Sequence, residues 1–320
     1  MNEKGSQGPL FRSGFVALVG RPNVGKSTLV NALVGEKVSI VTHKPQTTRT
    51  RIRAIVNRPE AQLVLVDTPG LVPSDSALRR AMRRSASMAA ADADATLVVA
   101  QIRGDAGELT DLDRDVLETA KKAPGPVVLA INKIDLLARK ESLLPWMAAY
   151  QREHELAAIV PISARAGDGL DILMRELVAI LPEGPPLFPP EMHTDQAERF
   201  LCAELVREQL LLQTHEEVPY TAAVVIESFE DQRREDGGGL CRIEGRIYVE
   251  RESQKGIVVG KGGQRIKEVS HKARLEMEQV LGCKVYLRLT VHVDRDWTEN
   301  EQAVHRYGYG PESEGGAGPW

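Results

Sequence analysis

Gly20-Arg21-Pro22-Asn23-Val24-Gly25-Lys26-Ser27, with Thr28 following, has the spacing G-x-x-x-x-G-K-[ST]. Its glycines let backbone N–H groups curl around a polyphosphate at the start of a helix, where the dipole also favours anions. Lys26 would then reach the β and γ phosphates, and Ser27 would hold Mg²⁺. Asp67-Thr68-Pro69-Gly70 offers a carboxylate for the metal's water shell and a Gly70 N–H for a γ-phosphate. In Asn132-Lys133-Ile134-Asp135 the Asp135 carboxylate only accepts hydrogen bonds, so it can take two N–H bonds from guanine but no such pair from adenine. Leaving it desolvated without those donors is costly, which predicts strong discrimination. Ser163-Ala164 can add a backbone N–H to the guanine O6.

Chemistry of this kind needs strand ends brought together. Phe15–Val19, Leu63–Val66, Ala95–Ala100, Val127–Ile131 and Ile159–Ile162 are short apolar runs that predict buried strands. Lys26–Leu33, Ser76–Ala90, Thr110–Lys121, Ser142–Glu153 and Gly169–Leu181 carry helical spacing between them. The alternation predicts an α/β domain, a mostly parallel sheet with helices on both faces, whose ligands bind beyond the carboxyl ends of the strands. All four motifs fall at such ends in chain order, so four unrelated surface turns are a poor account of them.

The pattern breaks at Leu181–Pro190, where five prolines exclude helix and sheet interior. This predicts a first domain at 13–181, a semi-rigid linker at 182–193, a second domain at 194–309 and a disordered tail at 310–320. Thr194 is placed to cap a helix through Phe200, Leu205 and Leu212. Strand-like Thr221–Phe229 and Arg242–Glu250 flank the polar loop Glu230–Gly239. Ile257–Gly263, a helix from about Gln264 to Leu281 and a final strand Lys284–Val293 follow. The order α-β-β-α-α-β is that of an α+β domain. Within it Gly260-Lys261-Gly262-Gly263 fits the GxxG loop of a KH domain of the prokaryotic type (type II), which clamps about four nucleotides. Between Arg251 and Arg274 seven basic residues, Lys261 and Lys267 among them, stand against two acidic ones, a surplus of five. That concentration is the footprint of a phosphate backbone.

The whole-chain numbers alone point away from nucleic acid: 41 Lys and Arg against 45 Asp and Glu give −4 over 320 residues. With 42% hydrophobic and 27% charged residues the chain is globular rather than disordered. Cys202, Cys241 and Cys283 lie far apart, which speaks against a disulfide framework or a zinc site and for reduced intracellular thiols. The N-terminal residues have no apolar signal region and no run approaches membrane-spanning length, so a cytoplasmic location is expected, with peripheral contact at the inner face of the membrane left open. The arginine-rich segment Leu78–Met88 reads as a switch helix or a partner surface, the former preferred.

The four motifs resemble those of the translation-factor-related GTPases. The resemblance implies a phosphate-loop GTPase fold for the first domain, with GTP or GDP as ligand and Mg²⁺ as cofactor. It also assigns Gln46-Thr47-Thr48-Arg49-Thr50 as a first switch in which a threonine completes the Mg²⁺ shell, Thr48 being preferred to Thr47. Leu71 stands where Ras-like members carry the glutamine that orients water. In the branch with a hydrophobic residue there, Asn23 is associated with a bound K⁺; a plain turn role for Asn23 is the competing reading. With GRPNVGKS, QTTRT, TDQAERFLCAELVREQLL and VPYTAAVVIESFE, the chain is similar from about Ser13 to Tyr309 to a bacterial family of ribosome-assembly GTPases ending in a KH domain. Departures are local, at Gly237–Gly239 and after Gly310. That family implies binding near the 3′ end of small-subunit ribosomal RNA, work on the 30S subunit and a monomer. The alternatives are an RNA-binding adaptor with a structural nucleotide domain, and an assembly GTPase that docks on protein.

Overall fold

The computed structural model describes residues 10–71, 76–103, 107–234 and 238–310. The expected tail after Gly310, Gly237 of the glycine run and residues 72–75, after the Asp67–Gly70 motif, lie outside the described residues. The chain divides into two compact units, one of residues 10–38, 52–71 and 86–195, the other of 39–51, 76–85 and 196–310.

In the first unit β1 (Arg12–Gly20), β2 (Ile52–Asn57), β3 (Ala61–Asp67), β4 (Ala95–Ala100), β5 (Val127–Ile131) and β6 (Ala158–Pro161) form a six-stranded sheet in the order β2-β3-β1-β4-β5-β6. Every pair is parallel except β2 with β3. β3, β4 and β5 are buried at every position, as strands covered on both faces must be. The helices are α1 (Lys26–Val34), the C-terminal half of α2 (Ala77–Asp92), α3 (Asp111–Lys121), α4 (Leu143–Glu153) and α5 (Leu170–Ile180). One core joins the sheet to α1 and α5, the other to α2, α3 and α4. β2 was not expected: as an edge strand with an arginine in its apolar run it gives a weak signal.

The proline-rich stretch behaves as a strap along this unit. Ser13 Oγ donates to Pro185 O, Gln62 Nε2 donates to Phe188 O, and the Leu187 and Phe188 amides donate to Gln62 Oε1. Asn57 Nδ2 reaches Pro190 O, the Ile55 amide donates to His193 O, and Arg53 pairs with Asp195 at 2.7 Å. The cap expected at Thr194 is absent: its hydroxyl donates to Arg53 O, and the next helix, α6 (Glu198–Gln213), begins after Ala197.

In the second unit α6 and a short α7 (Val218–Thr221) precede β7 (Ala223–Arg233) and β8 (Gly239–Val249), an antiparallel pair with a bulge between Ile226 and Ser228. Then come α8 (Glu252–Val259), α9 (Gln264–Leu281) and β9 (Lys284–Val293), the last parallel to β8. A final α10 (Glu301–Arg306) was not expected. Ile226, Ile243 and Ile247 pack with α6 and α9 in one core. Val225 and Tyr248, of opposite parity, join Trp297, Tyr307 and Tyr309 in another, as the two-residue strand period requires. Cys202 and Cys241 lie in the first of these cores, and burial pushes both thiols up to about 12.

Candidate nucleotide site and nucleic-acid interface

The phosphate loop runs from the end of β1 into α1. Gly25 sits at φ 98°, and a Cβ there would lie 2.4 Å from Asn132 Nδ2, so both conformation and space exclude a side chain. Lys26 is nearly buried, and its ammonium donates to Gly20 O at 3.2 Å and Arg21 O at 3.3 Å. Burial lowers its pKa to about 8, against an opposing pull from Asp67. Ser27 Oγ donates to Asp67 Oδ2 at 2.7 Å, placing a hydroxyl and a carboxylate oxygen side by side. Those are hard oxygen donors of the kind Mg²⁺ takes. Thr68 Oγ1 anchors the turn on Leu18 O, and Gly70 passes so close to Pro22 that a Cβ would meet it at 2.9 Å.

The base-reading residues are bonded to the same loop. Asn132 Nδ2 donates to Val24 O at 2.8 Å, and Lys133 Nζ donates to Asn23 O at 2.6 Å. Asn132 Oδ1 accepts the Lys133 amide at 2.8 Å and the Ala164 amide at 2.9 Å. Asp135 is exposed and accepts the Ser163 hydroxyl at 2.7 Å. Ser163 N–H donates to Asp168 O and Ala164 N–H to Asn132 Oδ1, so this turn holds the asparagine and the aspartate in place. Asn23 stands at φ 63°, which suits its turn role.

Sequence reasoning missed a support beneath Arg21. Its guanidinium donates to Thr110 Oγ1 at 2.8 Å and to Asp113 Oδ2 at 3.0 Å. Thr110 and Asp113 form the capping box of α3, a T-x-x-D spacing legible in the sequence, and Tyr150 donates its hydroxyl to the other Asp113 oxygen.

Thr48 and its neighbours belong to the second unit, whereas Ser27 and Asp67 belong to the first. Gln46, Thr48, Arg49 and Thr50 are all buried. Thr47 donates its hydroxyl to Lys44 O at 2.7 Å and meets Thr42 Oγ1 at 2.7 Å. Arg49 donates to the carbonyls of Pro219, Tyr220 and Ala222 around the end of α7, and lies 5.4 Å from the Tyr309 ring. From α6, Arg207 donates to Thr47 O and pairs with Glu204, while Glu208 accepts the Val41 amide at 2.9 Å. No sequence signal marks Arg207 or Glu208, whose α6 reads as an ordinary amphipathic helix.

In the same unit the GxxG segment lies between α8 and α9. Gly260, Gly262 and Gly263 all have positive φ (71°, 59° and 77°), and a Cβ at Gly262 would meet nothing within 4 Å. The loop is therefore open to close approach by a ligand backbone. Lys261 is exposed on it, and Lys267 is exposed on the first turn of α9 beside it in sequence. Lys272 and Arg274 pair with Glu268 and Glu278, each at 2.7 Å, so the net positive charge gathers toward the loop. Among the described residues no group of three or more His, Cys, Asp or Glu is disposed to hold a metal, and no helix is long and apolar enough to cross a membrane.

A family profile described as a 50S ribosome-binding GTPase matches residues 15–133, and one described as a KH domain matches 217–298. GTPase Era of Syntrophus aciditrophicus (strain SB) is 47% identical over 312 residues, covering 97% of this chain and 99% of that protein. GTPase Era of Stenotrophomonas maltophilia (strain K279a) is 48% identical over 297 residues, covering 92% and 97%. Among solved structures, a point variant of Aquifex aeolicus Era bound to GDP·AlF4⁻ has a TM-score of 0.86 at 40% identity, covering 94% of this chain and all of that one. Era in complex with MgGDPNP and nucleotides 1506–1542 of 16S ribosomal RNA has a TM-score of 0.87 at 40% identity, covering 94% and 99%. With a phosphate loop, the Asn132–Asp135 turn and a GxxG unit in one chain that aligns with these proteins over more than nine-tenths of its length, the chain belongs to the GTPase Era family.

Proposed function

We propose that this chain is a GTP-driven switch that binds small-subunit ribosomal RNA near its 3′ end through the KH domain and acts in 30S subunit assembly. The observation that carries it is Asn132, which bonds the phosphate loop at Val24 and the base-side turn at Ala164 within one site, in a chain that also carries an open GxxG loop. The family profile naming the 50S particle covers only 15–133; the relative bound to 16S RNA aligns over both halves.

Ser27 and Asp67 would hold Mg²⁺ in the first unit, joined by Thr48 in the triphosphate state. The bound ion neutralises charge that builds on the phosphates during transfer. Lys26 and the N–H groups opening α1 stabilise the charge spreading over the transferring phosphoryl group, and Gly70 offers its N–H to the γ-phosphate. Asp135 reads guanine from its exposed position. Buried Leu71 offers no polar group to orient water, so intrinsic turnover is slow and depends on K⁺ at Asn23 or on a partner that orders the switch. The chain acts as a cytoplasmic monomer, with its membrane contact peripheral.

The γ-phosphate changes how the KH domain is presented, because residues 46–50, which must respond to it, are bonded to α6 and α7. RNA affinity measured with GDP and with a non-hydrolysable GTP analogue tests this, since coupling is reciprocal. Equal affinities would remove the coupling. Phosphate release from GTP but not ATP tests the enzyme, and Lys261→Asp with Lys267→Asp tests the RNA site. RNA binding that survived this double substitution would overturn the KH assignment.

A further inference from the structure

The N-terminal half of α2 is carried by the second unit. Ala77, Leu78, Ala81 and Met82 are buried in the cluster built on Trp297, Val304 and Tyr307. The opposite side is basic: Arg80, Arg83 and Arg84 are exposed, Arg79 is half-buried, and no acidic residue follows before Asp92. Three features make this arrangement unfavourable for the helix alone. Arg79 with Arg83 and Arg80 with Arg84 are like-charge pairs at i,i+4. The first turn holds no acidic residue, and cations there oppose the helix dipole. The Arg80–Glu301 pair, 3.3 Å apart and largely exposed, returns little. A helix needing only solubility would interleave acidic partners.

We infer that the basic face of α2, centred on Arg80, Arg83 and Arg84, is a second RNA-contacting surface of the KH-bearing unit. It binds the phosphate backbone of RNA lying outside the nucleotides held by the GxxG loop. The inference rests on the RNA-binding reading above. A GxxG loop clamps only about four nucleotides, whereas the solved relative aligned over both halves is bound to a far longer segment. Arginine is suited to the role, its planar fork matching phosphate oxygens two at a time.

The test compares full-length protein on a short single strand that fills the GxxG loop and on the same strand lengthened at either end, over a salt series. For Arg83→Glu with Arg84→Glu, affinity for the lengthened RNA should fall about tenfold or more. The slope of log K against log salt should shrink by about one to two, each lost phosphate contact removing roughly 0.7–0.9. Affinity for the short strand should hold, and Arg83→Lys with Arg84→Lys should keep most of the slope. Arg83→Gln with Arg84→Gln, which removes charge without reversing it, separates the effect from a folding defect. Unchanged affinity and slope on both RNAs would overturn the inference and turn attention to an acidic protein partner. Equal weakening on both RNAs would also overturn it. Lys261→Asp with Lys267→Asp serves as the independent arm: it should weaken both RNAs, and its failure to do so would sink the KH reading itself.

Discussion

The Lys133 ammonium donates to the Asn23 carbonyl at 2.6 Å, and beside it Asn132 donates to the Val24 carbonyl at 2.8 Å. The turn that reads the base is thus bonded to the loop that wraps the phosphates. Asn132→Ala would leave the buried Val24 carbonyl and Ala164 amide without their partners, at about 1–3 kcal/mol each. GTP and GDP affinities should both fall by about a hundredfold, since none of these bonds involves the γ-phosphate. Titration with a fluorescent analogue of each nucleotide checks this. A loss confined to GTP would contradict it.

The proposed contact to guanine uses Asp135 as a pure acceptor, with Ser163 fixing one of its oxygens. Asp135→Asn replaces an acceptor by a donor, which suits a base carrying a carbonyl where guanine has its amino group. The variant should lose GTP by about a thousandfold or more and gain xanthosine triphosphate. Competition between the two nucleotides is the readout.

Lys26 titrates at about 8 in the fold against 10.5 as a free side chain, because burial disfavours its charge. The unfolded chain therefore holds more protons between those values. The penalty is full below about pH 8 and is relieved as pH rises through the window. Lys26→Met should stabilise the nucleotide-free protein at pH 7 by up to about 3 kcal/mol, with the gain shrinking toward pH 10. It should also abolish GTP binding. Urea melts across that range give the first result; a constant difference would refute the assignment.

If K⁺ acts at Asn23, hydrolysis should be faster in K⁺ than in Na⁺, and Asn23→Gly should erase the difference while retaining the φ 63° turn. Equal wild-type rates in the two salts would remove the ion from the mechanism.

Arg207 and Glu204 form a buried pair on α6, and Arg207 also donates to Thr47 O. Arg207→Met alone should cost about 3–5 kcal/mol by stranding the carboxylate, whereas Arg207→Met with Glu204→Leu should recover most of it. The double variant should still lose the bond to Thr47, seen as faster amide exchange across 46–50. Protection there equal to wild type would show that the bond holds nothing.

The parallel strands were legible because β3, β4 and β5 are buried throughout and carry the apolar runs Leu63–Val66, Leu97–Ala100 and Val127–Ile131, and the nucleotide residues because their spacings are imposed by phosphate and base. β2 was not, since Arg53 interrupts the apolar residues of an edge strand that ends at Asn57. Asp113 could have been found from its capping box, though nothing in T-x-x-D says that its carboxylate also receives Arg21. The residues grouped as a first switch were legible only by resemblance. Their attachment to α6 and α7 depends on side chains more than 150 positions away, and no local pattern encodes that pairing. Likewise the proline run reads as a linker because prolines break regular structure. Whether such a segment is free or strapped down is decided by Gln62 and Asn57, whose amides reach it from the sheet.

Ile40 fills a core whose other members begin at Cys202, and Leu78, with Ala77, Ala81 and Met82, fills one whose remaining members begin at Ala223. Synthesis proceeds from the N-terminus at about 5–20 residues per second, so these side chains emerge roughly ten seconds or longer before anything exists to cover them. The nucleotide-binding half leaves the ribosome with two unfinished patches, and its maturation waits on the last third of its own message. A nascent chain stalled near residue 195 would carry a sheet ready to bind nucleotide beside exposed apolar segments.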